Sequence, residues 1–408
     1  MRAIESATRI LTLAPKGDDL AREARSVLAR LWWHRLLDME RHHDHMQAAL
    51  CRSWVEHYDD GALANALDGS GTVDITCVQA GAVGRLYRWA EQGRVREPVL
   101  DGEYPMPIED LQLSPGSWLL EVSAPGFQTA RYPLYLERLE HHEGRVRLFR
   151  SEEVGEGWVV VPAGRFVMGG DPKARQPLQR CRPWVDDLFV MKTCVTSEDW
   201  LRYLNALPIE EAMRRVPGEG GLFGSSAVRY WSHGEQGWSL PEGWQPDWPV
   251  FAVSHDDAVA YAQWLSADLG RAVRLPTEEE WEKCARGVDG RSYPWGDKFD
   301  PTFAHMRRSR PGRPRPWSVG QYPVDTSVYG AMDMAGGLRE LTSSWFDEGQ
   351  IVIRGGTWGD DADDLRCACR AGLQPDFRYS FIGFRLVSEE PCPSSATPTD
   401  DSTGPEEA

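Results

Sequence analysis

Apolar residues recur at helical spacing between positions 18 and 56: Leu20, Ala24, Val27, Leu28, Leu31 and Trp32, then Leu36, Met39, Met46, Leu50 and Trp54. That period predicts one long amphipathic helix or two packed ones. "YDDGALANALDG" (58–69) reads as a short helix closed by Gly69. From Ser70 to about Arg150 the period drops to two, and "TVDITCV", "GRLYRWA", "GSWLLEVSAP" and "GRVRLFR" predict strands separated by glycine, proline and acidic turns. Beyond Trp158 helical spacing returns in three places. These are 197–207 with Ser197 as N-cap, 254–270 capped by Ser254 and ended by Gly270, and 276–287 with Thr277 and Glu280 as a capping box. The rest, up to Val387, predicts loops and short strands held by tryptophans. The acidic, Pro- and Ser-rich segment 388–408 lacks aromatics and predicts disorder. The pattern divides the chain into a helical lead-in (1–69), a β-sandwich (70–150), a large domain (151–387) and a tail.

Composition narrows the function. Of 408 residues 41% are hydrophobic and 26% charged, as in a globular chain with a core. A net charge of -17 argues against nucleic acid and anionic membrane as partners. No apolar run approaches the roughly 20 residues needed to span a bilayer, and "MRAIESATRILTLAPKGDDL" makes a poor signal peptide. Eight cysteines without a C-x-x-C pair read as free thiols in a reducing cytoplasm.

Few motifs suggest chemistry. In "HHDH" (42–45) only His42 and His45 share a helix face, so the run reads as a solvated face rather than a metal site. Adjacent Ser254, His255 and Asp256 read as a helix cap, because a nucleophilic triad must converge from separate elements. The carboxylates of "EEEWE" (278–282) favour the helix dipole and solvent. The densest stretch is "RGGTWGDDADDLRCACRAG" (354–372). Trp358 offers an apolar face beside Asp360, Asp361, Asp363 and Asp364, and Arg366, Arg370, Arg378 and Tyr379 follow. Four acids packed so closely repel one another, which implies exposure, a cation or nearby arginines. An aromatic and acidic pocket suits a protein or peptide ligand that is basic or ammonium-bearing.

The blocks "VVVPAGRFVMGGD", "WPVFAVSHDDAVAYAQWL", "VRLPTEEEWEKCARG", "YPWGD", "YGAMDMAGGLRELTSSWF" and "VIRGGTWGDD…RCACRAG…IGFRLV" resemble, in order and spacing, the formylglycine-generating enzyme (sulfatase-modifying factor) family. The resemblance implies an α+β, C-type-lectin-like fold with little regular structure. "LSPGSWLLEVSAPGFQTARYPLYL" resembles PEGA β-sandwich repeats, and the whole layout resembles the C-terminal half of certain bacterial serine/threonine kinases. No glycine-rich nucleotide loop, "HRD" or "DFG" accompanies it. The family's oxidases hold copper(I) through two cysteines. One lies two residues after the aromatic of the glycine motif and the other five later, which places them on Asp360 and Leu365. Neither residue is a thiolate, the ligand that a soft monovalent ion requires. Cys367 and Cys369 lie just downstream and, two apart on a strand, read as packed thiols facing one side.

In "MAGGLREL" Gly337 stands where the family has asparagine and Leu341 where it has tryptophan. The resemblance leaves Glu340 as a candidate ligand for a structural calcium. The iron-dependent sulfoxide synthases share the chain's ending, but their histidine-bearing helical bundle has no counterpart here. The sequence is therefore read as a non-catalytic or catalytically altered family member with no copper or iron, binding a partner around Trp358. Such scaffolds also serve as the display domains of variable proteins. The alternatives are a metal- and oxygen-dependent oxidoreductase with rearranged ligands and a regulatory kinase segment.

Overall fold

The helical spacing at the N-terminus resolves into separate helices. A computed structural model describes residues 2–15, 18–41, 45–219 and 228–393. His42, His43, Asp44 and the side chain of His45 lie outside the described residues, as do positions 394–408 of the acidic tail. Helix α1 (Arg2–Leu13), which periodicity left unassigned, precedes α2 (Asp19–Arg41), α3 (His45–Tyr58) and α4 (Ala64–Asp68). Gly69 ends α4 in the left-handed region (φ 61) and donates its N–H to the Asn65 carbonyl. Leu36, Cys51, Val55 and Leu67 are buried against Trp32 and Trp33. These helices belong to a compact unit that also takes in Gln112–Pro115 and Glu137–Glu140. Within it Arg138 pairs with Glu40 at 2.5 Å and lies 5.0 Å over the Trp33 ring.

The second unit contains the remainder. Strands β1 (Gly71–Cys77), β2 (Val83–Gln92), β3 (Val95–Pro105), β4 (Ile108–Leu113), β5 (Gly116–Ser123), β6 (Ala130–Leu136) and β7 (His141–Val146) form two sheets, ordered β4–β1–β7 and β3–β2–β5–β6. Alternation in β1 buries Val73 and Ile75, whereas β5 buries Leu119, Leu120 and Val122 on both faces. Leu119 enters the same apolar cluster as Val161, Val190, Trp281 and Cys284. Arg96 reaches Asp289 at 3.0 Å and Asp297 at 2.5 Å, and Arg291 lies 4.6 Å over Trp89. The two-sheet segment and the residues beyond Trp158 thus share an apolar cluster.

The larger domain opens with α5 (Ser151–Val154) and β8 (Trp158–Val161). Its helices are α6 (Ser197–Ala206), α7 (Ile209–Arg215), α8 (His255–Leu269) and α9 (Glu278–Arg286). Thr196, not Ser197, caps α6, accepting from the Asp199 N–H, while the Ser197 hydroxyl accepts from Trp244 Nε1 at 2.8 Å. Ser254 and Thr277 cap α8 and α9 in reciprocal boxes with Asp257 and Glu280. A four-stranded sheet, in the order Arg370–Leu373, Gln350–Arg354, Arg339–Asp347, Ile382–Gly383, is antiparallel except at its last pair. Beside it Trp200, Tyr203, Tyr261 and Phe384 form an interlocked aromatic core with ring centroids 5.1 to 5.9 Å apart. Among the described residues no helix is long and apolar enough to cross a membrane.

Candidate functional site

The turn after strand Gln350–Arg354 places the aromatic and acidic stretch. Gly355 adopts φ 79, and a Cβ on Gly356 would meet Leu365 Cδ1 at 2.9 Å and the Ala335 carbonyl at 3.0 Å. Glycine is required here by the left-handed backbone and by the close approach. Trp358, expected to present an open face, is only 9% exposed. It packs edge-on against Phe251 at 5.6 Å, with Ala252 and Leu338, and its backbone N–H donates to the Gly337 carbonyl. The indole is core, and the surface above it belongs to other residues.

The aspartates are answered mainly by arginines. Asp360 accepts the Thr357 N–H at 3.0 Å and pairs with Arg339 at 3.2 Å. Asp364 pairs with Arg339 at 3.3 Å and Arg175 at 3.2 Å, and Asp361 with Arg307 at 3.2 Å and Arg308 at 3.6 Å. Asp363 is exposed. The other residues singled out do not converge on this place. Arg366 binds Asp171 at 2.6 Å, together with the Tyr293 and Ser292 hydroxyls. Arg370 grips Glu278 with two nitrogens at 2.9 and 3.0 Å. Arg378 pairs with Asp257 at 2.7 Å and donates to the Val216 and Arg214 carbonyls. Tyr379 stacks between Phe377 and Phe381, both at 5.5 Å, and is 38% exposed.

The donor set does not fit a cuprous ion. Asp360 is held by Arg339, and Leu365 is fully buried with Tyr293, Trp295 and Met306. Cys367 and Cys369 precede the strand that starts at Arg370 rather than lying on it, and they enter different clusters. Burial raises the Cys367 thiol well above the ordinary range, so the thiolate is disfavoured. Cys369 Sγ lies 3.9 Å from Arg339 Nη1. Among the described residues no three His, Cys, Asp or Glu side chains group as metal ligands. Both Glu340 oxygens accept from Arg385 at 2.7 Å, and Oε2 also accepts from Trp281 Nε1 at 2.9 Å. Its carboxylate is thus engaged by an arginine and an indole.

Sequence reasoning missed two features. The first is a buried ion ladder. Glu278, Glu282 and Arg286 lie four apart on one face of α9, all under 8% exposed, instead of facing solvent. Glu282 pairs with Arg286 at 2.6 Å and Arg354 at 2.5 Å, and accepts the Gly169 N–H at 2.7 Å. Burial alone would raise Glu282, but Arg354 and Arg286 hold it below the usual range. Arg354 and Arg370 face each other across neighbouring strands, an unfavourable pair that Glu278 separates. Next to the ladder, Lys283 donates to the Pro162, Gly164 and Val185 carbonyls, and burial lowers its pKa to about 7.

The second feature is a cleft of about 350 Å³ lined by His305, Met306, Arg307, Arg310, Arg313 and Trp317, among others. His305 stacks on Tyr322 at 5.6 Å and lies 6.2 Å from the Trp358 ring, so the cleft sits beside the buried indole. Burial, and then the Arg310 charge, lower His305 to about 4, leaving it neutral near pH 7. A smaller pocket shares His305 and Trp317 and adds Cys194, Tyr322, Gly337 and Leu338. The sequence signal was present in "HMRRSRPGRPRPW", five arginines without an acid.

Residues 146–390 match the model of the sulfatase-modifying factor enzyme 1-like domain. The inactive C-alpha-formylglycine-generating enzyme 2 of Bos taurus is 31% identical over 290 residues, covering 58% of this chain and 90% of that protein. The formylglycine-generating enzyme of Mus musculus is 28% identical over 325 residues, covering 66% and 80%. Among solved structures, PvdO from Pseudomonas aeruginosa aligns with a TM-score of 0.47 at 22% identity, covering 58% of this chain and 96% of that one.

Proposed function

Because the chain belongs to the sulfatase-modifying factor enzyme 1-like family, we propose that it is a non-catalytic member that holds a protein or peptide segment rather than oxidising one. It carries the mixed helix-and-strand, C-type-lectin-like fold that the sequence implied. One observation carries the proposal: where the resemblance puts the two thiolates, Asp360 is tied to Arg339 and Leu365 is sealed in an apolar cluster. A carboxylate already neutralised by a guanidinium and an aliphatic side chain offer no soft ligand. Neighbouring Cys367 and Cys369 sit in separate clusters and supply no substitute pair. A relative that bears the name of an inactive enzyme supports the same reading. The cleft beside His305 and Trp317 is where the partner would sit, because it is concave, mixed aromatic and polar, and adjacent to the glycine-motif turn.

The purified chain, incubated with a sulfatase-motif cysteine peptide, copper and oxygen, is expected to yield no aldehyde above the enzyme-free control. Hydrazide capture followed by mass spectrometry reads this directly. Aldehyde above control defeats the proposal.

A further inference from the structure

The cleft has a polarity opposite to that of the chain as a whole. Its lining segment, 305–317, holds Arg307, Arg308, Arg310, Arg313 and Arg315 and no carboxylate, inside a protein of net charge -17. Arg307 and Arg308 share one counterion, the carboxylate of Asp361. Among the described residues Arg310, Arg313 and Arg315 have no acidic partner. Arg310 is nonetheless fixed. Its guanidinium lies 3.6 Å over the Trp317 ring, and its Nε donates to the Tyr322 hydroxyl at 2.7 Å. That hydroxyl donates in turn to Ser309 Oγ at 3.0 Å, which donates to the Met306 carbonyl at 2.9 Å. Arg315 approaches the same indole at 5.0 Å. A guanidinium stacked on an aromatic and held by a neutral hydroxyl keeps donors free for an anion.

We infer that this cleft binds an acidic peptide segment through Arg310, Arg313 and Arg315, an assignment that rests on the binding-module reading above. Three considerations select the occupant. Guanidinium forks match carboxylates in planar, two-bond geometry. A volume of about 350 Å³ exceeds a lone inorganic anion and suits a few side chains of a polypeptide. The surrounding negative charge repels a long polyanion such as nucleic acid, whereas a short acidic run needs only the local patch, since surface charge is screened within about 8 Å at physiological salt.

Fluorescence anisotropy with labelled hexaglutamate, hexaglutamine and hexalysine peptides tests the assignment on the full chain. Hexaglutamate is expected to bind and the other two are not. Raising salt from about 0.05 to 0.3 M should weaken binding several-fold. Arg313 and Arg315 are exposed, so the double variant R313Q/R315Q should fold with an unchanged urea midpoint and bind about tenfold more weakly. Equal affinity for hexaglutamine, or an unaffected double variant, overturns the inference. Tighter binding of a single-stranded oligonucleotide of matched charge overturns the peptide assignment. None of these outcomes depends on the aldehyde assay, so loss of the acidic-ligand assignment and loss of the non-catalytic reading show separately.

Discussion

Glu282→Gln will destabilise the protein by about 3–5 kcal/mol, read as a shift in the urea unfolding midpoint, because it leaves buried Arg286 without its counterion and buried Arg354 with only the more distant Glu278. The amide keeps the shape of the carboxylate, so the loss reports charge rather than a cavity. Arg354 is fully buried, its Nε and Nη1 lack hydrogen-bond partners, and the other nearby carboxylate, Glu278, stands 3.8 Å from Nη1 and is already gripped by Arg370. The pH profile gives a second reading. The folded-state pKa of Glu282 is depressed, so its contribution is present above the ordinary glutamate range and is lost as pH falls through the folded value. The variant should therefore lose less stability than the parent on acidification below about pH 4.5. Glu279→Gln, one residue past Glu278 in the same acidic run, should change stability by less than about 0.5 kcal/mol. Equal effects at the two positions would contradict the ladder.

The second large effect is a gain. Asp325 is fully buried, and both oxygens accept backbone N–H groups, from Ala335 at 2.9 and 3.1 Å and from Gly336 at 3.0 Å. Burial, and then the charge of Asp333, raise its pKa to about 8 despite those bonds and the more distant Arg385. A carboxyl raised in the folded state binds its proton more readily than in the unfolded chain. Stability is then greatest below the unfolded value near 4 and falls as pH climbs through about 8. Asp325→Asn removes the penalty while keeping one accepting oxygen for the two N–H groups. The variant should match the parent near pH 4 and exceed it at pH 8.5 by a few kcal/mol, with a ceiling of about 6 at about 1.4 kcal/mol per unit. Asp333, itself raised to about 6 mainly by burial, leaves a residual slope of the same sign. His305 acts oppositely: with its pKa lowered to about 4, it costs stability as pH falls from its ordinary value near 6.5. Thermal midpoints of both proteins across pH 4 to 9 decide the matter, and parallel curves would refute it.

Features fixed by a few neighbouring residues were legible in the sequence. The Ser254 cap, the Thr277 box and the Gly69 and Gly270 stops need only local chemistry, and all four stand where the pattern put them. The α6 cap slipped by one residue because two hydroxyls compete there. Only the fold shows that Trp244, 47 positions away, claims Ser197. The acids of α9 were misread for the same reason: the arginines that draw Glu278 and Glu282 inward arrive 92 and 72 residues later, respectively. Trp358 and its flanking aspartates looked like a surface because their partners, Phe251, Arg339 and Arg307, are scattered along the chain. The family blocks were legible because their glycine turns and helix caps are local features, such as Gly355 and Gly356 beside Trp358, but a motif gives the scaffold and not which side of it meets the solvent.

The junction between the two-sheet segment and the larger domain bears on how this architecture could change over time. Leu119 of β5 completes a cluster whose other members include Trp281 and Cys284, and Arg96 bridges Asp297 and Asp289, the latter also held by Arg291. A lineage that discarded the two-sheet segment would inherit an open greasy socket and an Asp297 without its arginine, while Asp289 would keep Arg291 at 2.8 Å, so excision must be accompanied by resurfacing. The two modules are bound to one another as evolutionary cargo, and a descendant carrying only the larger one should show polar replacements at that seam.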